Sequence, residues 1–369
     1  AMRQDGAAAP SALRVDGAFD AINAQLGGAA GGLAGSFIDG AGHLQQSAST
    51  TALERSLSSL SGELHTASLA MTFEAIDAGT RALSARFDQL RDAPAAGNWS
   101  QGLGYHGNFA RGGYGNVGFD LGGTLVGMDR RVGGSGYAGF ALSQTRGLGR
   151  LAESADQGRS HALEGMLYGG VVQGNWYGMG RFGVGNYREL TRRQLQLGAL
   201  RTGVESHDQG RYGVAYAETG YRVDAGALRL TPYTSVQYAE VCRDGFNERG
   251  GFGFGLKAEA GCTSRWQSGL GLRGTRQWSF AHGASLALGL HAEWQRAFGL
   301  RGELLNASFS GLDQWSSLDG IGLSRHRGVT GGSLDWSMSA RSNLVLGVDR
   351  YSGQRDDATM ATLSFRRAF

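Results

Sequence analysis

The stretch Ser285-Leu286-Ala287-Leu288-Gly289-Leu290-His291-Ala292-Glu293-Trp294-Gln295 decides the fold. Counting in twos puts Leu286, Leu288, Leu290, Ala292, Trp294 and, further on, Phe298 on one face, with Ser285, Gly289, His291, Glu293 and Gln295 on the other. Side chains alternate across a strand, so this is a two-faced strand. The end of the chain repeats it, with Ala361, Leu363, Phe365 and Phe369 set against Thr362, Ser364 and Arg366. Twelve such runs lie between residues 97 and 369, each long enough to cross a bilayer, which takes ~9 to 11 residues of tilted strand.

The connections alternate in length. After strands two, four, six, eight and ten come tight turns: Gly133-Gly134, Gly174, Asp224-Ala225-Gly226, Ala281-His282-Gly283 and Ala340-Arg341. After strands one, three, five, seven and nine come longer, more polar segments, the longest being 190–208, 244–261 and 300–326. A soluble sandwich has no reason to alternate in this way, whereas an outer-membrane barrel has short periplasmic turns and long outer loops. The fold expected is an all-β transmembrane protein, a 12-stranded antiparallel barrel over 97–369.

Composition agrees. Of 369 residues 64 are Gly and 3 are Pro, which excludes a collagen repeat, and 41% apolar content excludes a disordered linker. No run approaches the ~18 to 20 apolar residues of a spanning helix, and the mean hydropathy of -0.26 is too polar for a helical membrane bundle. The net charge is +3, and the basic residues, all Arg except Lys257, are scattered rather than gathered into a nucleic-acid-binding stripe. Two cysteines, Cys242 and Cys262, bracket one outer loop and suggest at most a single disulfide there; they are too isolated for a zinc site.

Ahead of the barrel two zones separate. Residues 1–50 are rich in Ala and Gly, with Gly27-Gly28 and Gly31-Gly32 interrupting any helix, and read as a loosely ordered linker or passenger end. The opening Ala1-Met2-Arg3-Gln4 lacks the pattern of an export signal, so the sequence reads as a piece of a longer chain. Residues 51–96 read as a helix. Thr51 and Glu54 fit a capping box, Leu53, Leu57, Leu60 and Leu64 recur at helical steps, as do Ile76, Leu83, Phe87 and Leu90, and Pro94 closes the segment. Gly62 and Gly79 are candidate kinks. Twelve strands enclose a lumen between that of a filled 8-stranded barrel and an open 16-stranded pore, and a helix about 10 to 12 Å across suits it. A helix running inward through the pore delivers the chain to the periplasm at Gly97, and an even strand count returns the C-terminus there.

No motif argues for catalysis. Gly269-Leu270-Gly271-Leu272-Arg273-Gly274 and Gly178-Met179-Gly180-Arg181-Phe182-Gly183 match GxGxxG, but neither joins a strand to a helix, and alternating Gly on an inner face produces such matches. There is no HExxH, GxSxG or CxxC. His207 and Asp208 sit in the expected outer loop, where a rim hydrolase would place an acid–base pair. Trp99, Trp176, Trp278 and Tyr351 fit interfacial girdles. Arg366, on the inner face, has the role of bonding a lumen helix or water.

Four stretches resemble the translocator domains of monomeric type Va autotransporters: Leu60-Ser61-Gly62-Glu63-Leu64-His65; Trp99 with Gly102, Gly104 and Gly107; Gly127-Met128-Asp129-Arg130-Arg131; and Gly331 to Gly353 with the terminal Ser364-Phe365-Arg366-Arg367-Ala368-Phe369. The resemblance covers about residues 51–369. It implies a barrel plugged by the linker helix, here through Leu60, Ser61, Gly62, Glu63, His65 and Phe87. It implies an assembly signal in the last strand, Phe365 and Phe369, read by the barrel-assembly machinery after delivery by periplasmic chaperones. It implies a monomer in the Gram-negative outer membrane, surrounded by its lipid and lipopolysaccharide, exporting its own N-terminal passenger to the cell surface, with no cofactor, metal or nucleic acid. The sequence looks most like translocators that follow subtilisin-like serine protease passengers, with esterase and adhesin passengers still open. Some family members release the passenger by cyclisation of an Asn on the linker helix, yet residues 51–97 contain no Asn. The competing readings are a rim-active barrel hydrolase and a diffusion porin.

Overall fold

The computed structural model describes residues 8–27, 33–92, 96–152, 154–280, 284–318, 320–339 and 342–367. The expected closing Pro94, the turns at 281–283 and 340–341, and Phe369 lie outside them. Four helices come first: α1 (Ala8–Leu26), α2 (Gly35–Gln45), α3 (Thr50–Ser59) and α4 (Glu63–Asp92). Twelve long strands follow: β1 (Asn98–Phe109), β2 (Val117–Val132), β3 (Gly136–Leu151), β4 (Gln157–Gln173), β5 (Trp176–Leu197), β6 (Leu200–Tyr221), β7 (Leu228–Arg243), β8 (Gly261–Ser279), β9 (Ser285–Arg301), β10 (His326–Ser339), β11 (Ser342–Gly353) and β12 (Asp356–Arg367). Each pairs antiparallel with its sequence neighbours, and β1 pairs with β12 from Asn98↔Arg367 to Phe109↔Asp356, which closes the ring. Closure gives every one of the twelve strands a neighbour on both sides within the ring, the condition for a sheet in lipid.

The period-two pattern sets which face meets lipid. Leu142, Leu163, Leu167, Phe182, Val184, Leu270, Leu290, Trp294, Leu363 and Phe365 are exposed on the outside, while Tyr105, Met166, Glu164, Glu218, Glu293 and Arg366 are buried inside. Two expected girdle residues belong to the other phase. Trp99 and Tyr351 point inward and are buried, Trp99 donating to the Tyr168 hydroxyl at 2.8 Å. Trp99 shares parity with Gln101, Leu103 and Tyr105, so its place was fixed by its neighbours. Trp176 is exposed on the outer face and meets Tyr221 edge to face.

The expected loop 190–208 is not a loop. β5 and β6 continue their ladder to Leu197↔Leu200, turning at Gly198 with φ +61°, the left-handed conformation glycine allows. Arg188, Arg192 and Gln194 imitate loop polarity because they face outward above the apolar band, while Thr191, Arg193, Leu195 and Leu197 keep the buried phase.

Helices α1 and α2 also form where the glycine content suggests a loose linker. With α3 they form a cap whose core joins Val15, Ile22, Phe37, Leu44, Leu57 and Leu60 to Leu195, Leu197 and Val204 of the extended hairpin and to Phe246, Phe254, Leu256 and Phe309 of the outer loops. Those loops supply a small sheet in the order Ser316–Leu318, Leu305–Phe309, Leu256–Ala258 and Phe246–Asn247. The expected linker helix is thus two helices. α3 starts not at the Thr51/Glu54 box but two residues earlier, where the Ser49 side chain accepts from the Ala52 amide at 3.2 Å. The break falls at residues 60–62.

Candidate functional site in the barrel lumen

α4 has 30 residues, about 45 Å at 1.5 Å per residue, and stands inside the ring. One side is apolar and close-packed. Met71 lies over Gly147 and Gly149, and Phe87 over Gly170, where a Cβ would overlap both the Phe87 ring and the Gly178 carbonyl. Glycines on β3 and β4 thus form the groove that lets a helix approach the wall.

The other side is charged. Glu74, Asp77, Arg81, Ser84 and Asp88 follow one another at steps of three and four, so they share a helix face. Arg327 of β10 donates to both Glu74 oxygens at 2.7 and 2.8 Å and to Asp77 at 2.8 Å, and Arg265 of β8 and Gln237 of β7 also reach Asp77. Tyr105 of β1 donates to Glu74. Arg81 bonds Glu293 of β9 at 2.9 Å and lies 3.8 Å from Asp349 of β11. Arg273 of β8 joins Asp88 at 3.1 Å, Ser84 at 2.9 Å and Glu218 of β6 at 2.6 Å. Arg86 pairs with Asp129 of β2, and Ser68 donates to Glu189 of β5. Partners therefore come from every side of the ring. Gly79 does not kink α4; its missing side chain makes room for Arg181 of β5, whose Nη1 would lie 2.9 Å from a Cβ there and which pairs with Glu164 of β4.

At the outer mouth His65 lies between Glu248, at 2.8 Å from Nε2, and Asp208, at 3.5 Å from Nδ1. Arg193 grips Glu248 at 2.8 and 2.9 Å and donates to the carbonyls of Ser59 and Ser61 where α3 turns into α4. Burial opposes charge on His65, but the bonds and charges of Asp208 and Glu248 outweigh it and raise its pKa to about 9. Burial likewise works against ionised Glu248, and Arg193 and His65 overcome it, bringing its pKa down to about 2. The three groups form a charged latch.

The sequence-derived residues fall into distinct places. Glu63 accepts from the Gly115 amide at 3.2 Å, His65 is in the latch, and Phe87 packs against Tyr137 and Tyr177 near the periplasmic end. Leu60, Ser61 and Gly62 are not in the lumen helix but in the break above it. Leu60 is in the cap core, and Gly62 lies so close to Leu318 that a Cβ would overlap it. Phe365 faces outward on β12. Cys242 and Cys262 lie opposite each other on β7 and β8 and are joined. His207 and Asp208 are consecutive on β6, hence on opposite faces: His207 is exposed outside and Asp208 buried inside. They cannot act as a pair, which removes the residues proposed for a rim hydrolase. Among the described residues the one grouping with metal-ligand spacing is Glu240, Cys242 and Cys262, and both its sulfurs are in the disulfide.

The Arg–carboxylate seat was not singled out in the sequence. Its signal was there, as charged residues in the inner phase of β5, β6, β8, β9 and β10 matched by the 74-77-81-88 spacing on the helix. Buried pairs of this kind contribute little net stability but are costly to break singly, so they fix the depth and rotation of the helix. Beside Arg81 and Gln89 the helix leaves a polar crevice of about 180 Å³ against small residues such as Gly289, Ser333, Gly347 and Thr362. It has room for ordered water.

Comparison with known proteins gives a consistent result. Residues 98–349 match the autotransporter β-domain family. An extracellular serine protease of Serratia marcescens is 26% identical over 259 residues, a match covering 66% of this chain and 23% of that protein. The chain therefore spans under a quarter of that relative's length. Among solved structures, the translocator domain of the autotransporter NalP from Neisseria meningitidis superposes with a TM-score of 0.66 at 19% identity, covering 81% of this chain and 98% of that one. The β-domain of the Bordetella autotransporter BrkA gives 0.57 at 18% identity, covering 74% and 100%.

Proposed function

This chain belongs to the autotransporter β-domain family, translocators of type V secretion in the Gram-negative outer membrane, and from that premise we propose that α4 is the plug left in the lumen once the passenger has crossed. The translocator itself is not a catalyst. The observation that carries the plug reading is the spread of α4's partners over the ring, from Tyr105 on β1 to Asp349 on β11.

The polar seat also suits passage. A lumen lined by Arg, Glu, Asp and Tyr is satisfied by water while a chain moves through it, and by the helix afterwards. The apolar cap of α1, α2 and α3 with the outer loops then closes the mouth, so 51–96 divides into a cap helix and a lumen helix, with 97–369 as the barrel. We read the passenger as a serine protease, on the likeness to the Serratia protein, held at the cell surface or released upstream of residue 51 by a separate or passenger-borne protease. The barrel-assembly machinery, supplied by periplasmic chaperones, reads the last strand through Phe365 and Phe369. Energy for export comes from outside the chain, through passenger folding.

Planar-bilayer conductance tests the plug. Deleting residues 51–92 should convert a nearly closed barrel into an open pore. An unchanged conductance would place the closure elsewhere and favour a porin-like lumen.

A further inference from the structure

We propose that the outer face of β3–β6, just beyond the apolar band, is a binding site for the phosphates of an anionic glycolipid in the outer leaflet. The strand registers put Arg146, His161, Arg188 and Gln209 directly opposite one another in one row across four strands. Arg159, two residues from His161, lies diagonal to both Arg146 and Arg188, and Arg211 sits opposite Asn186, diagonal to Arg188. All four arginines are exposed and point outward. Neighbouring strands are about 4.8 Å apart, so like charges stand one or two strands from each other, an arrangement that is unfavourable unless an anion lies between them.

The carboxylates that border the row are engaged by other groups: Asp244, at the end of the row, accepts from the Gln209 side chain at 3.0 Å, and Asp120, diagonal to Arg146, lies 2.7 Å from His106. Asp120 and Glu205 are also paired with Arg150 at 3.4 Å and Arg192 at 2.7 Å. Glu240, opposite Gly213, accepts from Tyr238 at 2.8 Å. The height of the row identifies the ligand. Toward the membrane the next outward row is Gln144, Leu163, Asn186 and Arg211, and the step after it reaches Leu142 and Val184, where the exposed apolar band begins. The arginines are therefore level with lipid headgroups, where guanidinium groups bind phosphate through paired N–H bonds. The spread from Arg146 to Arg211 suits a headgroup with two phosphates. None of these residues touches α4 or the lumen, so the site is separate from translocation.

The refolded barrel in detergent would be titrated with bisphosphorylated lipid A, with the same lipid after removal of both phosphates, and with inorganic phosphate, retention being read by native mass spectrometry. The phosphorylated lipid should bind at least tenfold more tightly than the dephosphorylated one. That gap should vanish in Arg146→Gln/Arg188→Gln/Arg211→Gln, while inorganic phosphate competes weakly. Equal binding of the two lipids, a gap that survives in the triple variant, or equally good competition by inorganic phosphate would overturn the proposal. If the triple variant does not refold, Arg146→Gln and Arg188→Gln are read singly, each expected to lose part of the gap, and no loss in either counts against the site.

Discussion

Arg86 and Asp129 meet through two parallel hydrogen bonds, Nε to Oδ2 at 2.8 Å and Nη2 to Oδ1 at 2.9 Å, with both side chains sealed from solvent. Asp129 also accepts from the Tyr168 hydroxyl at 2.9 Å and from the Gly97 amide at 3.0 Å. One carboxylate thus ties the plug, the first barrel residue, β2 and β4 together.

Asp129→Asn should cost about 3–5 kcal/mol, because it leaves the Arg86 guanidinium buried without a counter-charge. The double replacement Arg86→Met/Asp129→Leu should recover most of that loss. Heat-dependent migration in detergent gels, followed against temperature, gives the comparison. A single replacement as stable as wild type would show that water already serves this pair.

Stability of the outer latch should fall at alkaline pH. His65 titrates at about 9 in the folded chain against an ordinary 6.5, so its contribution is complete below 6.5 and disappears as pH rises through 9. The full difference is roughly 3 kcal/mol at 1.36 kcal/mol per pKa unit. Glu248 acts in the opposite sense: with a pKa of about 2 against 4.5, its contribution is present above 4.5 and fades as pH falls through 2. Urea unfolding of wild type and His65→Gln from pH 6 to 10 should give curves that converge near the alkaline end. Curves that stay parallel would mean that His65 acts as a neutral hydrogen-bonding group.

The ring of strands was legible because each strand carries its own signal: Leu286 to Phe298 states its lipid face without reference to any partner. What the sequence hid were relations between distant segments. Phe37 is one aromatic in a glycine-rich stretch, and only its stacking on Phe254, at 4.6 Å between centroids, makes α2 part of a core. Asp208 looked like the partner of adjacent His207, whereas the pleat sends it inward to His65, far away in the chain. The β5–β6 extension was missed because outward Arg188 and Arg192 are polar for a reason of height above the membrane, which composition alone reports as a loop. Gly198, at the tip of that hairpin, was the available clue.

Reduction should loosen the outer strands without unseating the helix. Cys242 and Cys262 are 20 residues apart, and closing a loop of that size restricts the unfolded chain by about 3 kcal/mol. Neither cysteine contacts α4. Unfolding by guanidinium with and without dithiothreitol should show a lower midpoint after reduction, while conductance stays at its wild-type level. A rise in conductance on reduction would tie the disulfide to the plug.

The break between α3 and α4 offers the most local test of the cap. A Cβ at Gly62 would overlap a methyl of Leu318 and approach Leu256 Cδ1 at 3.0 Å, so the linker passes under the outer-loop sheet without room for a side chain. Gly62→Val should push the sheet off the linker at a cost of about 1–3 kcal/mol, the usual range for overpacking. The clash is with the ends of side chains rather than with backbone, so Leu318→Ala in the same chain should restore much of the fit. Limited proteolysis reads this directly: residues 8–59 should be cut faster in Gly62→Val than in wild type, and more slowly again in the double variant. Equal rates in all three would show that the sheet moves aside freely, and that the cap is held by its contacts with Leu195 and Leu197 instead.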